Sequence, residues 1–415
     1  MSGNVNSDCA NNIYLIGIFN LIFLLVKHTN CPICKSIETE VFFEIKNAPV
    51  FSMVTIKSKE EALKIEKKEI TLAFCNRCGL IYNSSFHATV DYINQNYEDQ
   101  QGFSQTFVNF ITGIAKTFID KYKIYNKKIV EIGCGKGDFL NLIAVLGNNR
   151  VTGIDPACIP ERINQNKNIQ VLKEYYNDKH GALDADCIFC RHTLEHIQAA
   201  GDFMNLIRRT VSHKKNMVIF FEVPNTVRIL RKKAFWDIYY EHCNYLSPGS
   251  LARLFRQSRF EVEDLYLGND DQYLFIEAKP VEDISDKTHP MEESIKTMKN
   301  LLKDFSKYVS DQMIFWREKL NIFKSKNQRV VLWGGGSRCV AFLTQFADIG
   351  VIENVVDINP YFKGNFVPGF GIRYQPPSFL INFKPDHVII MNGVYRKEIE
   401  KTLSEIGLHP ELHNL

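Results

Sequence analysis

The sequence has almost no surplus of one charge sign: 50 lysines and arginines stand against 47 aspartates and glutamates, a formal net charge of +3. A field that holds nucleic acid or an anionic membrane needs a larger, clustered excess, so no nucleic-acid partner is expected. Nor is there an apolar run of the roughly 20 residues that a helix needs to cross a bilayer. The one membrane-like stretch, Ile13 to Val26 (IYLIGIFNLIFLLV), is shorter and lacks the basic flank of a signal peptide. The apolar leader over residues 1–27 therefore reads as buried or interfacial, without stable membrane insertion. Cysteine is dilute and odd in number, eleven in 415 residues, which excludes a stapled secreted scaffold and points to a reducing cytoplasm. No repeat of solenoid length is visible. What is present in quantity is core material: 45% of residues are hydrophobic and 12% aromatic, the composition of a globular protein, and the length implies two or three compact units.

After the leader, the pattern changes three times. A cysteine-bearing section runs over 28–90, an α/β section over 91–280 and a second α/β section over 329–415. Between the last two, over 281–328, Ile295, Met298, Leu302, Phe305, Val309, Met313, Trp316, Leu320 and Phe323 recur every three or four residues. That spacing predicts an amphipathic helical connector packed on its own neighbours.

Cys31-Pro-Ile-Cys34 and Cys75-Asn-Arg-Cys78-Gly79 form two Cys-x-x-Cys knuckles. Four thiolates gathered by a fold make a closed tetrahedral site suited to zinc, one that stabilises and leaves no position open for catalysis. The long gap between Cys34 and Cys75 requires a sheet that brings the pairs together. Cys187 and Cys190 share the short spacing but lie in an apolar run and read as small core residues of a buried strand.

Lys128-Ile-Val-Glu-Ile-Gly-Cys-Gly-Lys-Gly-Asp138 reads as a strand, a turn built on Gly133, Gly135 and Gly137, and a helix start, with Glu131 near the strand end. About twenty residues on, a second strand ends in Asp155, placed to bond ribose hydroxyls. A dinucleotide site prefers G-x-G-x-x-G with a phosphate on the helix N-terminus, and Asp138 at that point disfavours phosphate. The Glu-x-Gly-x-Gly-x-Gly pattern instead resembles the first motif of class I S-adenosylmethionine-dependent methyltransferases, whose cofactor is cationic. Asp186-Cys-Ile-Phe-Cys-Arg-His-Thr-Leu-Glu-His196 adds a strand followed by a polar turn, so Arg191, His192 and His196 should face the ligand at the carboxyl edge of the sheet. The aromatic stretch Phe235 to Tyr245 sets Glu241 beside His242, an acid able to orient a histidine poised for proton transfer near neutrality.

The knuckles, the EIGCGKG loop, RHTLEHI, EVPN, FWDIYYEHCNY and a trailing α/β unit together resemble the zinc-containing sugar C-methyltransferases of deoxysugar pathways, from about Asn30 to the C-terminus. That resemblance implies a class I Rossmann-like core, a small N-terminal zinc domain and a C-terminal Rossmann-like domain. It implies S-adenosylmethionine as cofactor and a nucleotide-linked ketosugar as substrate, handled by a monomer or homodimer. In that family a Tyr-x-Glu-His element supplies the base, which falls here on Tyr239, Glu241 and His242. A further active-site histidine falls on His196, with His192 in reserve, and an upstream tyrosine on Tyr97. The surroundings of Tyr97, YEDQQGFS, depart from the family's aromatic-serine pattern. Carbon methylation beside a ketone then needs His242 to take a proton while polar groups hold the enolate oxygen.

In the last section, Arg329 to Ser337 (RVVLWGGGS) and Ile352 to Asp357 repeat strand, glycine turn and acid. The resemblance makes this a lid over the cleft, with Ser337 and Arg338 as a candidate phosphate contact. The competing readings are an NAD-dependent oxidoreductase, methylation at oxygen or nitrogen of another metabolite or glycan, and a zinc-ribbon binding protein.

Overall fold

The computed structural model describes residues 30–87, 92, 96–163, 166–214, 217–284 and 286–415; the apolar leader lies outside the described residues. From the first knuckle the chain enters β1 (Thr39–Pro49), which pairs antiparallel with β2 (Lys67–Cys75), and β2 with β3 (Ile81–Asn83). The β1–β2 pairing carries Thr39 opposite Cys75 and so closes the long gap between the two knuckles.

The second sheet begins with β4 (Lys128–Ile132), β5 (Arg150–Ile154), β6 (Ile169–Leu172), β7 (Cys187–Arg191) and β8 (Val218–Pro224), all parallel. β7 reads CIFCR and is buried throughout, as a central parallel strand covered on both faces must be, and Cys187 and Cys190 lie in that strand. The chain then leaves the sheet. β9 (Asn244–Tyr245) pairs antiparallel with β3, so the first sheet takes its fourth strand from within the glycine-loop section. β10 (Phe260–Gly268) and β11 (Tyr273–Pro280) return to complete seven strands in the order β10-β11-β8-β7-β4-β5-β6, with β11 antiparallel to both its neighbours. Helices flank this mostly parallel sheet, which is the α/β core expected from the sequence.

The connector stripe is carried by two helices, Ile295–Leu302 and Phe305–Ser325, which differs from the single helix that its spacing suggests. Met298, Leu302, Phe305, Val309, Trp316, Leu320 and Phe323 are buried, and they join Phe43 and Phe74 of the first sheet, Leu332 of the third and Phe342 of the helix Ser337–Phe346 in one apolar cluster. The third sheet is parallel throughout. It comprises β12 (Val330–Trp333), β13 (Ile352–Val356), β14 (Arg373–Gln375), β15 (His387–Ile390) and β16 (Glu411–Asn414) in the order β14-β13-β12-β15-β16. Among the described residues no helix is long and apolar enough to cross a membrane.

Candidate active site

The carboxyl ends of β4, β5 and β7 open into a cavity of about 720 Å³, closed on its far side by the glycine loop after β12. Between β4 and the helix Asp138–Gly147 the chain turns through Gly133, Gly135 and Gly137, at φ of 73°, 52° and 84°. Left-handed backbone at three alternate positions is cheap only for glycine. At Gly133 a Cβ would also stand 1.8 Å from Thr193 Oγ1. The Glu131 carboxyl is buried, its Oε2 lacks a hydrogen-bond partner, and burial, opposed by Arg191, pushes its pKa up to about 8. Asp155 accepts from the Gly135 amide at 2.9 Å and the Ala157 amide at 2.6 Å, which ties the end of β5 to the glycine turn. Asp138 accepts from Gln100 Nε2 at 2.7 Å and the Gly102 amide at 3.0 Å. Lys136, its side chain fully buried, reaches Asp99 at 3.2 Å and the Ala157 carbonyl at 3.1 Å.

At the end of β7, Arg191 Nε is 2.5 Å from Glu222 Oε2, and its guanidinium lies 4.3 Å above the Phe139 ring. His192 sits at φ 48° with Nε2 3.1 Å from Glu222 Oε1 and Nδ1 3.6 Å from Glu195. Burial opposes protonation of His192, but Glu222 and Glu195 outweigh it and raise the pKa to about 9, so this imidazole is cationic at neutrality. Burial likewise works against the charge on Glu222, yet Arg191 and His192 hold it down at about 2.

The third group comes from the irregular run before β9 and the short turn Leu194–His196. His242 Nε2 is 2.9 Å from the Tyr239 hydroxyl, and its ring centroid is 4.8 Å from that of His196. His196 Nδ1 meets the Tyr92 hydroxyl at 3.1 Å and the Glu241 carbonyl at 3.0 Å. Burial lowers the pKa of both imidazoles, that of His242 the further, and keeps them neutral and basic in form at pH 7. Tyr239, His196 and His242 line the cavity together with Tyr92 and Tyr97.

Glu241 does not do what its place beside His242 suggests. Its carboxylate turns away from the imidazole, behind the cavity wall, and accepts from the Ser52 amide at 2.8 Å and from the Ser52 hydroxyl. Tyr97 bonds the same carboxyl, whose pKa burial raises to about 7. The acid that faces the His242 ring is Glu195, 4.0 Å from Nε2. Neighbours in an irregular chain point to opposite sides, and sequence adjacency does not report which side. Ser52, Tyr92, Glu195, Glu222 and Lys136 were not singled out from the sequence. RHTLEHI did carry Glu195 between two histidines, the one signal available for it.

Across the cavity, the loop after β12 repeats the arrangement at β4. Gly334 sits at φ 106°, and Asp357 at the end of β13 accepts from the Gly335 amide at 2.5 Å and the Asn359 amide at 2.7 Å. Ser337 and Arg338 are both engaged with the protein: Ser337 Oγ lies 2.8 Å from Ser52 Oγ, while Arg338 bonds Asp237 at 2.5 Å and Gln272 at 3.1 Å.

At the other end of the first sheet, Cys31, Cys34, Cys75 and Cys78 bring their sulfurs within 4.8 Å of one another. A tetrahedral zinc site with sulfurs at ~2.3 Å spaces them by about 3.8 Å, so this set fits the ion. The Cys31–Cys78 and Cys34–Cys75 pairs are each 3.5 Å apart.

Residues 104–265 match a family model described as a methyltransferase domain, and residues 278–408 one described as a C-methyltransferase C-terminal domain. C-methyltransferase NovU of Streptomyces niveus is 27% identical over 146 residues, which cover 33% of this chain and 34% of that protein. The chain thus aligns with about a third of the length of this curated relative. Among solved structures, a SAM dependent methyltransferase from Aquifex aeolicus is similar at 15% identity, 40% of this chain and 89% of that one, with a TM-score of 0.31. The 1,6-didemethyltoxoflavin-N1-methyltransferase of Burkholderia thailandensis is similar at 15% identity, 41% and 79% coverage and a TM-score of 0.32.

Proposed function

We propose, for a chain that joins a methyltransferase domain to a C-methyltransferase C-terminal domain, that it transfers a methyl group from S-adenosylmethionine to a carbon beside the ketone of a nucleotide-linked sugar. The observation that carries this reading is the buried, neutral His242 opening into the same cavity as the glycine turn and Asp155.

Glu131, Gly133, Gly135 and Asp155 are the residues that would hold the cofactor. They suit it: the partnerless Glu131 Oε2 awaits a donor or a positive charge, and Asp138 weights the helix start against phosphate. S-adenosylmethionine, when bound, supplies an electrophilic methyl group on a positively charged sulfur. Arg191 and His192, fixed on Glu222, set the floor of that half of the cavity.

On the acceptor side His242 takes the proton from the carbon next to the ketone, and the C–H electron pair moves into an enolate. Tyr239 fixes one face of the imidazole. Neutral His196, held by Tyr92 and the Glu241 carbonyl, lines the place where the enolate oxygen develops. Glu241, braced by Ser52 and Tyr97, supports the loop from behind. Holding donor and acceptor in register supplies much of the acceleration, since orientation alone is worth about 7–11 kcal/mol in favourable cases. The four cysteines would hold zinc as a closed structural site.

Calorimetry should find S-adenosylmethionine bound equally by the wild type and by His242→Asn. Mass spectrometry of a panel of nucleotide ketosugars incubated with labelled cofactor should show methyl gain with the wild type and a loss of about 10²-fold or more with the variant. Binding of NAD in place of S-adenosylmethionine, or near-normal turnover by His242→Asn, overturns the reading.

A further inference from the structure

Three carboxylates surround the imidazoles of the cavity, and two are already committed. Glu222 is bonded to Arg191 and His192, and Glu241 to Ser52 and Tyr97. Glu195 alone is buried and lines the cavity with both carboxylate oxygens lacking a hydrogen-bond partner among the described residues. Its resting neighbour is cationic His192 at 3.6 Å, an ion pair without a hydrogen bond that His192 shares with Glu222, so the Glu195 carboxylate keeps capacity for a second cation.

The backbone aims it. The Glu195 carbonyl accepts from the Cys243 amide at 3.0 Å, and Asn244 Nδ2 donates to the Ile197 carbonyl at 2.6 Å. His196 Nδ1 meets the Glu241 carbonyl at 3.0 Å. The turn Leu194–His196 is thereby laced to residues 241–244, and the Glu195 side chain is delivered 4.0 Å from His242 Nε2 and 3.6 Å from His192 Nδ1.

We propose that Glu195 is the positioning carboxylate of the base: it faces His242 and pairs with the imidazolium that forms there when the substrate C–H bond breaks. The inference rests on the reading of His242 as the base. The C–H electron pair passes into the enolate, the proton goes to the His242 ring, and Glu195 itself takes no proton. Burial alone would make that imidazolium prohibitively unstable, and among the described residues no other carboxylate is paired with the ring. Tyr239 and Tyr245 are neutral, His196 is neutral, and His192 is itself cationic. Holding its counter-charge ready and unbonded lets the site meet a charge that exists only during reaction.

The test uses the full chain with ring-labelled histidine, followed by NMR from about pH 3 to 9, the His242 signal being assigned by its absence in His242→Asn. The wild-type His242 should titrate below the ordinary imidazole value, and Glu195→Gln should move its midpoint further down by about one pH unit, with Glu195→Asp falling between. Glu195→Asp keeps the charge and serves alone should Glu195→Gln not fold; a midpoint below that of the wild type then supports the proposal. A His242 midpoint unchanged in the variants overturns it. Failure of the underlying reading appears separately, as wild-type protein that does not bind S-adenosylmethionine by calorimetry.

Discussion

Gly133 is the residue at which the glycine loop has least room. Its φ of 73° and the 1.8 Å approach of Thr193 Oγ1 to any added Cβ make Gly133→Ala a combined backbone and steric fault. It should cost about 1–3 kcal/mol of stability and weaken S-adenosylmethionine binding, checked by urea unfolding and calorimetry. The titratable residues make a second prediction. Glu131, Glu241 and His192 have folded pKa values of about 8, 7 and 9, all above their ordinary values of 4.5, 4.5 and 6.5. Between those limits the folded state binds more protons than the unfolded chain, so these groups favour folding at low pH and lose that contribution as pH rises. Glu222, held at about 2, is ionised throughout and adds no slope above its unfolded value. The buried His196 and His242, shifted the other way, add stability as pH rises towards 6.5, so in ligand-free protein the urea midpoint should fall from about pH 6.5 to 8, and Glu131→Gln should flatten the decline. A midpoint that rises over this range would refute the assignment. The types of these residues were legible in the sequence because strand, glycine and acid follow one another within a short span. Their partners were not. Ser52 and Glu241 lie 189 positions apart, and no local pattern reports a bond of that range.

Among the elements, β9 shows the same limit most clearly. Two residues cannot display a strand period, so its pairing of Tyr245 with Ile81 and Asn244 with Tyr82 was invisible beforehand. The connector stripe was visible, but the stop after Leu302 was not, because the apolar spacing continues across it. The pairing of β9 has a chemical consequence. The strand follows closely on Tyr239–His242, and it pairs with β3 at Ile81 and Tyr82, just after the Cys75–Cys78 knuckle. Stripping an ion held by the four cysteines with a strong chelator should accordingly lower both the melting temperature and methyl transfer. Differential scanning calorimetry and turnover of the chelator-treated protein check this; turnover unchanged after treatment would show the cysteine cluster and the His242 loop to be independent.

At the scale of the whole molecule, the succession of cysteine section, glycine-loop section, connector and second glycine-loop section could be read in order along the chain. The closing of the cysteine section and both glycine-loop sections on one cavity could not. It depends on contacts such as Ser337 to Ser52, Arg338 to Asp237 and Ser104 to Glu398, the last at 2.7 Å, each joining segments far apart in sequence. Both glycine loops present the same cradle, with a strand-end acid bonded to a loop amide and to the amide two residues beyond it. A resemblance between two such loops is common in α/β folds and by itself says only that each turn is rigid.

The borrowed fourth strand of the first sheet also bears on how this protein could be re-engineered. A chimera that replaces residues 30–87 with those of a distant homologue would receive a foreign edge for Asn244 and Tyr245 to zip onto, and with it a foreign Ser52 environment. Swapping the cysteine module is therefore also swapping the mould in which the His242 loop is cast, and grafts should succeed in proportion to how well that seam is carried across intact.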